Sequence, residues 1–557
     1  MKTILISGSG AGGLPEHFPH SSVRQLQKAA IEAIAGSWKD GFSYVFLEAP
    51  TGFGKSAIAI TLAKQNPPAF ILVSTKTLQD QYVREKAYDT MQVKGRGNFV
   101  CMLAKDRTCD VGPCHLGSEC RHRPERIAES SSADLEDVSA KRGGNEKIVI
   151  RKGMRVCHYW KQKCEGMNHD YPVMNYSYFL HETMHAKDFG KRKLMVCDEA
   201  HNMEDELMRF IEFSISDKDL ELVNCKIPEK DLPVEEWAEN LKDWNTNLFE
   251  EFKNSREASE RTRDVMKRME LLKKMQSLEE KFIKCVFIAK ELSADPENWL
   301  IDRSVTGKVK KVTFKPIFVK RWGKRFSGMA DLFLFQSATI IDAKALADSL
   351  GLEEDKCVFL RAGSEFLPES RPVYYKPIGS MSKAGIEDTL PKLAAEIRKL
   401  IAKYPDKKGV IHTHTYKIQD YIMNNISSSR FIANRSDETR MRGKIMEEFM
   451  KSDKPLILVT PSAYEGMDFR DDICRWQVIC KMPYPDMGDP QVRKRMELSG
   501  SWYQWKTVLR LVQTYGRGTR NKNDWCDTYI FDSSFSHLMN SAKGMFPEWF
   551  TEAVVRI

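Results

Sequence analysis

Tyr44-Val45-Phe46-Leu47-Glu48-Ala49-Pro50-Thr51-Gly52-Phe53-Gly54-Lys55-Ser56 is the stretch that decides the fold. Its first five residues form a short apolar run of strand length, and the following AIAITLAKQ (57–65) reads as a helix. A strand, a glycine-bearing loop and a helix in that order aim backbone N–H groups and a helix N-terminus at phosphate oxygens. In such a loop Thr51, Gly52 and Gly54 form the cradle, Lys55 reaches the outer phosphates and Ser56 ligates Mg²⁺. Ala49 stands where the general pattern has its first glycine. Without that glycine, Gly-Lys-Ser/Thr arises by chance about 0.3 times in a chain of this length, so the stretch needs company.

The company comes from further apolar runs, each ending in a polar signature. They are FILVSTKTLQDQ (70–81), LMVCDEAH (194–201), LFLFQSATI (332–340), GVIHTHTY (409–416), LILVTPSAYEGMDF (456–469) and WQVICKMPYP (476–485). Runs of this kind followed by helical stretches predict buried parallel strands, with functional groups at their carboxyl ends. Their distribution before residue 345 and after residue 405 predicts two α/β domains. Asp198-Glu199-Ala200-His201 follows one such strand. There Asp198 suits Mg²⁺, and Glu199 can polarise an attacking water. Chance supplies this tetrapeptide about 0.003 times per chain. In Gln513-Thr514-Tyr515-Gly516-Arg517-Gly518-Thr519-Arg520, two arginines three residues apart are expected on one helix face, presenting guanidinium groups across a cleft. The three motifs in this order predict ATP hydrolysis between two domains. Gly8, Gly10 and Gly13 mimic a dinucleotide fingerprint, but Pro15 and Pro19 follow and no helix is expected at the glycines.

At 557 residues the chain predicts three or four domains, and 42% hydrophobic with 29% charged residues excludes a disordered or fibrous protein. No apolar run reaches transmembrane length, and MKTILIS lacks the features of a secretory leader, so a cytoplasmic protein without membrane contact is expected. A net charge of +9 permits a polyanionic partner without demanding one. Six of thirteen cysteines crowd into two short pieces: Cys101, Cys109, Cys114 and Cys120, then Cys157 and Cys164. Without a leader, this clustering points to metal or an iron–sulfur cluster before disulfides. Two segments break the α/β pattern. Residues 98–165 are cysteine-rich, with ESSSADLEDVSAKRGGNEK (129–147) read as a loop, and residues 203–315 read as a charged helical insertion.

On these residues the chain resembles the XPD/DinG family of superfamily 2 iron–sulfur DNA helicases. Arg24 and Gln27 resemble the family's adenine-side motif. TKTLQDQ (75–81), SAT (337–339), HTHT (412–415) and Tyr464–Phe469 resemble its nucleic-acid and coupling motifs. RPVYY (371–375) and MPYPDMGDP (482–490) look like the prokaryotic and phage DinG-type branch. The resemblance implies an α/β fold with two RecA-like motors: residues 1–97 with 166–202 and 316–345, then 346–557. It implies an iron–sulfur domain at 98–165 and a mostly helical arch at 203–315, both inserted in the first motor. It implies that Glu465 and Asp468 lie near the cleft, and that Gln513, Arg517 and Arg520 face the γ-phosphate.

The segments GRGNFVC (95–101), PCHLGSEC (113–120) and CHYW (157–160) resemble the family's cluster-bearing pieces. They assign Cys101, Cys114, Cys120 and Cys157 to a 4Fe–4S cluster. Cys109 and Cys164 remain alternatives for any of these, and the same four thiolates suit tetrahedral zinc. ATP and Mg²⁺ complete the implied cofactors. The implied activity is 5′→3′ translocation on single-stranded DNA by a monomer that unwinds duplex or forked DNA in repair or recombination. DNA-repair or replication proteins are the expected partners, and a nucleoid setting in a prokaryotic or phage-infected cell is expected. Lys and Arg along 141–163 and on the arch are expected to track the backbone, with Phe99, Tyr159 and Trp160 as candidates for base stacking. A DNA-stimulated ATPase that remodels without unwinding is the alternative. No exonuclease segment is recognised, so nuclease activity is not expected.

Overall fold

Lys2–Ile6 and Cys357–Ala362, far apart in the chain, lie side by side at one edge of the first sheet. The computed structural model describes residues 1–8, 13–112, 114, 120–128, 138–141, 146–150, 153–186, 188–363, 366–433, 439–461, 469, 471–519 and 524–557. The first sheet has eight parallel strands in the order Lys2–Ile6, Cys357–Ala362, Tyr44–Glu48, Ala330–Ser337, Arg192–Asp198, Ala69–Val73, Pro172–Asn175, Met91–Gln92. All of Ala69–Val73 is buried, as expected of a strand covered by helices on both faces. The second sheet has seven parallel strands in the order Phe431–Ala433, Ile457–Thr460, Gly409–His412, Trp476–Ile479, Asp527–Asp532, Val373–Gly379, Val554–Arg556.

The expected boundary at 345/346 falls inside the first sheet. Cys357–Ala362 pairs in register with Tyr44–Glu48, because the helix Ala343–Ser349 turns the chain back to the sheet it has just left. The second sheet takes its first strand at Val373.

The helical insertion is a hairpin of two long helices, Val234–Arg261 and Val265–Ala294. Trp237, Leu241, Trp244, Leu248 and Phe252 recur every three or four residues and are buried, forming one apolar stripe. Met275, Leu278, Cys285, Ile288 and Leu292 of the second helix belong to the same core. The first helix ends at Arg261, and Asp264 starts the next, its carboxylate accepting from the Met266 and Lys267 N–H groups. The insertion is less helical than expected, since Phe213–Ser216, Val309–Pro316 and Trp299–Thr306 form a small antiparallel sheet at its foot. The cysteine-rich segment likewise contains antiparallel strands, Glu125–Ala128, Glu146–Val149 and Val138–Lys141. Two of these use residues read as loop, where the alternation was too short to register. Gly8 and Gly13 precede no helix until Gln25, while Gly10 lies outside the described residues. Among the described residues no helix is long and apolar enough to cross a membrane.

One glycine marks a tight spot in the second sheet. A Cβ on Gly409 would sit 2.2 Å from the Trp476 ring on the neighbouring strand. Gly409→Ala is therefore expected to destabilise the second motor by about 1–3 kcal/mol, the usual cost of overpacking. Thermal unfolding of the full chain checks this, and an unchanged midpoint would refute it.

Candidate functional site

The phosphate loop is shaped by two left-handed glycines, Gly52 at φ 79° and Gly54 at φ 87°. Gly54 caps the helix Lys55–Gln65, and a Cβ there would lie 2.1 Å from the Gln27 Nε2 atom. Arg24 and Gln27, on and before the helix Gln25–Lys39, clamp the loop from outside. Arg24 Nη2 donates to the Gly52 carbonyl at 2.7 Å, and Gln27 Nε2 to the Phe53 carbonyl at 2.9 Å. Lys55 Nζ lies folded over the loop, 2.9 Å from the Ala49 carbonyl.

Asp198 ends the strand Arg192–Asp198 and faces this loop. Tyr82 donates to its Oδ2 at 2.9 Å and Gln336 to its Oδ1 at 3.0 Å, and Tyr82 is also hydrogen-bonded to Ser56. The two expected Mg²⁺ ligands, Ser56 and Asp198, thus share a tyrosine hydroxyl. Burial and the neighbouring Glu199 push the Asp198 carboxyl up to about 6, while Lys55 pulls the other way.

Glu199 has a left-handed backbone, φ 52°, which turns its carboxylate off the strand direction. Its Oε2 accepts from Ser337 at 3.2 Å and lies 3.3 Å from His201 Nδ1, which is itself 2.7 Å from Ser337 Oγ. The Ser337 carbonyl accepts from the Ala49 N–H at 3.0 Å, so one serine of the SAT motif touches both the phosphate loop and the acidic motif.

On the second motor, Gln513 and Arg517 line a cavity of ≈ 250 Å³ with His412, Lys481 and Arg510, at the carboxyl ends of strands. Burial, and then Arg517, drive the His412 imidazole down to about 3, so it is neutral at physiological pH. The helix Gly500–Tyr515 ends before the arginines, capped by Gly516. Arg517 therefore sits in the turn after the helix, and the expected shared helix face does not exist. In that turn a Cβ on residue 518 would lie 2.4 Å from Cys526 Sγ, so the close approach there needs glycine. Arg520, Asp468 and Glu465 lie outside the described residues.

Sequence reasoning missed the contact that joins the motors. Glu204, fully buried on the helix Met203–Ile211, is met by three groups from the second motor. Arg495 Nη2 donates to its Oε1, while Lys506 Nζ at 2.9 Å and Trp502 Nε1 at 3.2 Å reach its Oε2. Lys506 also bonds Asp205 at 3.0 Å. Burial opposes the charge, but Lys506 and Arg495 outweigh it and hold the Glu204 carboxyl at about 2. From the residue just before Lys506, Trp505 Nε1 donates to the Ile340 carbonyl just past the SAT motif, at 2.9 Å. The only sequence trace of this seam is the acidic run Glu204–Glu206 opening a helix, which also suits an ordinary helix N-terminus.

Cys101, Cys109, Cys114 and Cys157 are buried in the cysteine-rich domain, and Cys120 is half-buried beside them. Arg96 lies 4.5 Å over the Tyr159 ring and reaches Cys114 Sγ at 3.8 Å. Cys157 caps the helix His158–Asn168, whose Tyr159 and Trp160 N–H groups point to its sulfur. Tyr159 and Trp160 are each 1% exposed, so they serve as core and do not stack bases. Phe99 is half-buried against the same core. Lys163 is not available to track DNA either. It is buried and bonds Glu182 at 2.6 Å and Asp188 at 2.5 Å.

A model of the helicase C-terminal domain matches residues 397–553, and a model of the type III restriction enzyme res subunit matches residues 20–222. The chain is 21% identical over 564 residues to the ATP-dependent DNA helicase YoaA of Escherichia coli, covering 88% of this chain and 86% of that one. It is 27% identical over 208 residues to the Methanocaldococcus jannaschii protein named Probable ATP-dependent helicase MJ0942. That match covers 35% of this chain and spans only 31% of its relative. Among solved structures it is similar to an XPD helicase, with TM-score 0.65 and 16% identity over 97% of this chain and all of that one. A second is Xpd4 of S. tokodaii, with TM-score 0.56 and 14% identity over 96% of this chain and all of the other. These likenesses show the fold: two RecA-like motors carrying insertions.

Glu204→Gln removes the buried counter-charge of Arg495 and Lys506, and is expected to cost about 3–5 kcal/mol at neutral pH. The folded carboxyl titrates at about 2, below its ordinary 4.5. Its contribution is therefore complete above about pH 4.5 and fades as the pH falls toward 2. Urea unfolding of wild type and variant at pH 7 and near pH 3 checks this. A gap that does not narrow in acid would refute the assignment.

Proposed function

We infer that this chain, an XPD/DinG-like superfamily 2 helicase, is an ATP-dependent DNA helicase that moves 5′→3′ along single-stranded DNA and opens duplex or forked substrates. The observation that carries the reading is the convergence of Lys55, Ser56, Asp198 and Glu199 past the carboxyl ends of the two strands that flank Ala330–Ser337, with Gln513 and Arg517 on a second motor.

ATP lies along the phosphate loop, with Arg24 and Gln27 on the adenine side and Thr51, Gly52 and Gly54 turning backbone N–H groups to the phosphates. Lys55 leaves the Ala49 carbonyl for the outer phosphates. Ser56 and Asp198 hold Mg²⁺, which when bound neutralises phosphate charge. Glu199 orients the attacking water, and its contact with Ser337 is where the state of the phosphates is passed to the SAT motif. Arg517 and Gln513 meet the γ-phosphate when the motors close, and the family resemblance gives Arg520 and Asp468 parts in the same step. Closing and reopening move DNA held across the two motors.

The cysteine cage holds a 4Fe–4S cluster on Cys101, Cys114, Cys120 and Cys157. The donor set supports this. Gly112 leaves room for Cys101, since a Cβ there would lie 3.1 Å from Cys101 Sγ, and Arg96 and a helix N-terminus supply positive charge to the thiolates. Among the described residues no group of three or more His, Cys, Asp or Glu side chains is arranged to hold a metal ion. When bound, such a cluster would brace Cys101, Cys114, Cys120 and Cys157 into a stiff wedge at the duplex junction. A repair or recombination role, with the protein acting as a monomer beside repair or replication proteins, follows the family expectation.

Lys55→Ala is expected to lower DNA-stimulated ATP turnover by about 10²–10³ while leaving single-stranded DNA binding intact. Retained turnover would remove the nucleotide assignment. Protein purified without oxygen should open a duplex with a 5′ single-stranded tail and not one with a 3′ tail. Opening neither, with ATPase still stimulated by DNA, identifies a remodeller that does not unwind.

A further inference from the structure

The helix Lys76–Arg84 stands between the cysteine-rich domain and the phosphate loop, and its inward side chains reach in both directions. Tyr82, 2% exposed, donates to Asp198 Oδ2 at 2.9 Å and is hydrogen-bonded to Ser56. A hydroxyl and a carboxylate brought together in this way are the hard oxygen donors that Mg²⁺ takes, with water and phosphate completing its octahedron. Three residues before Tyr82, Gln79 has no exposed surface, and its Nε2 donates to the Val93 carbonyl at 2.9 Å and the Val173 carbonyl at 2.7 Å. Asp80 accepts from Gln92 Nε2 at 2.7 Å and from Lys94 Nζ at 3.2 Å, and the Thr90 hydroxyl donates to the Tyr82 carbonyl at 2.9 Å. Residues 90–94 are thus stitched to this helix along their length. The same segment is gripped from its other side. Gln162, on the helix His158–Asn168, accepts from the Lys94 N–H at 2.8 Å and donates to the Lys94 carbonyl at 3.1 Å. One turn further on, a Cβ at Gly166 would lie 2.4 Å from Val93 Cγ2, so that helix lies directly on the segment. Energetic coupling between separate sites travels through unbroken runs of packed side chains and hydrogen bonds, and this run leads from the cysteine-rich domain to Asp198.

We propose that Tyr82 is a positioning residue through which the cysteine-rich domain sets the Mg²⁺ seat of the nucleotide site. The helix His158–Asn168 holds Lys94 through Gln162, residues 90–94 hold the helix Lys76–Arg84, and the Tyr82 hydroxyl holds Asp198 and Ser56. The grip at Gln162 and the hydroxyl at Tyr82 are the two ends of one device, and loss of either end disconnects it. The proposal deepens the function inferred above and rests on its reading of Ser56 and Asp198 as metal ligands, which the test checks separately.

Wild type, Tyr82→Phe, Gln162→Leu and the double variant are purified as full chains without oxygen. The affinity of a fluorescent, non-hydrolysable ATP analogue is then measured in Mg²⁺ and in EDTA, and the ratio of the two is the gain from Mg²⁺. Tyr82→Phe and Gln162→Leu are each expected to lower that gain several-fold while the affinity in EDTA stays at its wild-type value. The gain of the double variant should be no lower than the lower of the two single variants, because both changes cut the same run of contacts. A wild-type gain in Gln162→Leu, losses that multiply in the double variant, or an equal loss of affinity in EDTA overturns the proposal. Wild type that binds the analogue no more tightly in Mg²⁺ than in EDTA removes the metal-ligand reading itself. If Gln162→Leu does not fold, Asp80→Ala takes its place, since Asp80 is a half-buried link of the same run, and the same outcomes decide.

Discussion

A carboxylate cut off from water fixes how one motor sits on the other. Glu204 has no exposed surface, and its charge is tolerated only because Arg495, Lys506 and Trp502 reach it from the opposite domain. Asp205 balances the second cation, so the seam carries no net charge. Its location gives it leverage. Glu204 lies five residues past Glu199, and Lys506 lies two turns before Gln513 on the helix leading to Arg517. The acidic motif and the arginine motif are therefore attached to the two sides of a single buried contact. Trp505 adds a second attachment at Ile340, whose N–H, with that of Ile341, is held by Glu48 at the base of the phosphate loop.

The cysteine domain is anchored to the first motor by the same kind of interaction. Lys163 stands near the middle of the helix that begins at Cys157. Its partners Glu182 and Asp188 belong to the segment leading into the strand that ends at Asp198. Burial works against the Lys163 charge, but Tyr159, Glu182 and Asp188 outweigh it and keep the ammonium protonated. Arg126 reaches Asp188 as well, from the first strand of the small cysteine-domain sheet. A hinged connection would need fewer buried charges. This one joins cage and motor as a single piece.

The features legible in the sequence were the local ones. The phosphate loop, the acidic tetrapeptide and the run-plus-signature strands each occupy a few consecutive residues, and their chemistry depends on that adjacency. The helical insertion was legible through its dense charge and scarcity of turn residues, though the apolar stripe of Trp237, Leu241, Trp244 and Leu248 is what packs it. What escaped depends on partners far away in the chain. Tyr82 bonds Asp198 across 116 positions, and Cys357–Ala362 finds its place only beside Lys2–Ile6 and Tyr44–Glu48. Tyr159 and Trp160 look like base platforms as an aromatic pair, but the helix turns both inward against Arg96 and Lys163. Arg517 was placed in the correct domain but on the wrong element, because a glycine on either side overrides the helical spacing.

The order of strands in the first sheet also governs how the chain is made. Ala330–Ser337 lies between Tyr44–Glu48 and Arg192–Asp198, and Cys357–Ala362 covers the other side of Tyr44–Glu48. On a ribosome that adds about 5–20 residues per second, the phosphate-loop strand waits tens of seconds for both neighbours. During that time the N–H and C=O groups along both its edges stay unpaired, while the cysteine segment and the long helical hairpin have already emerged. The first sheet therefore cannot close around that strand until residue 362 is clear of the exit tunnel, and codons that slow synthesis between the hairpin and that strand lengthen the exposure.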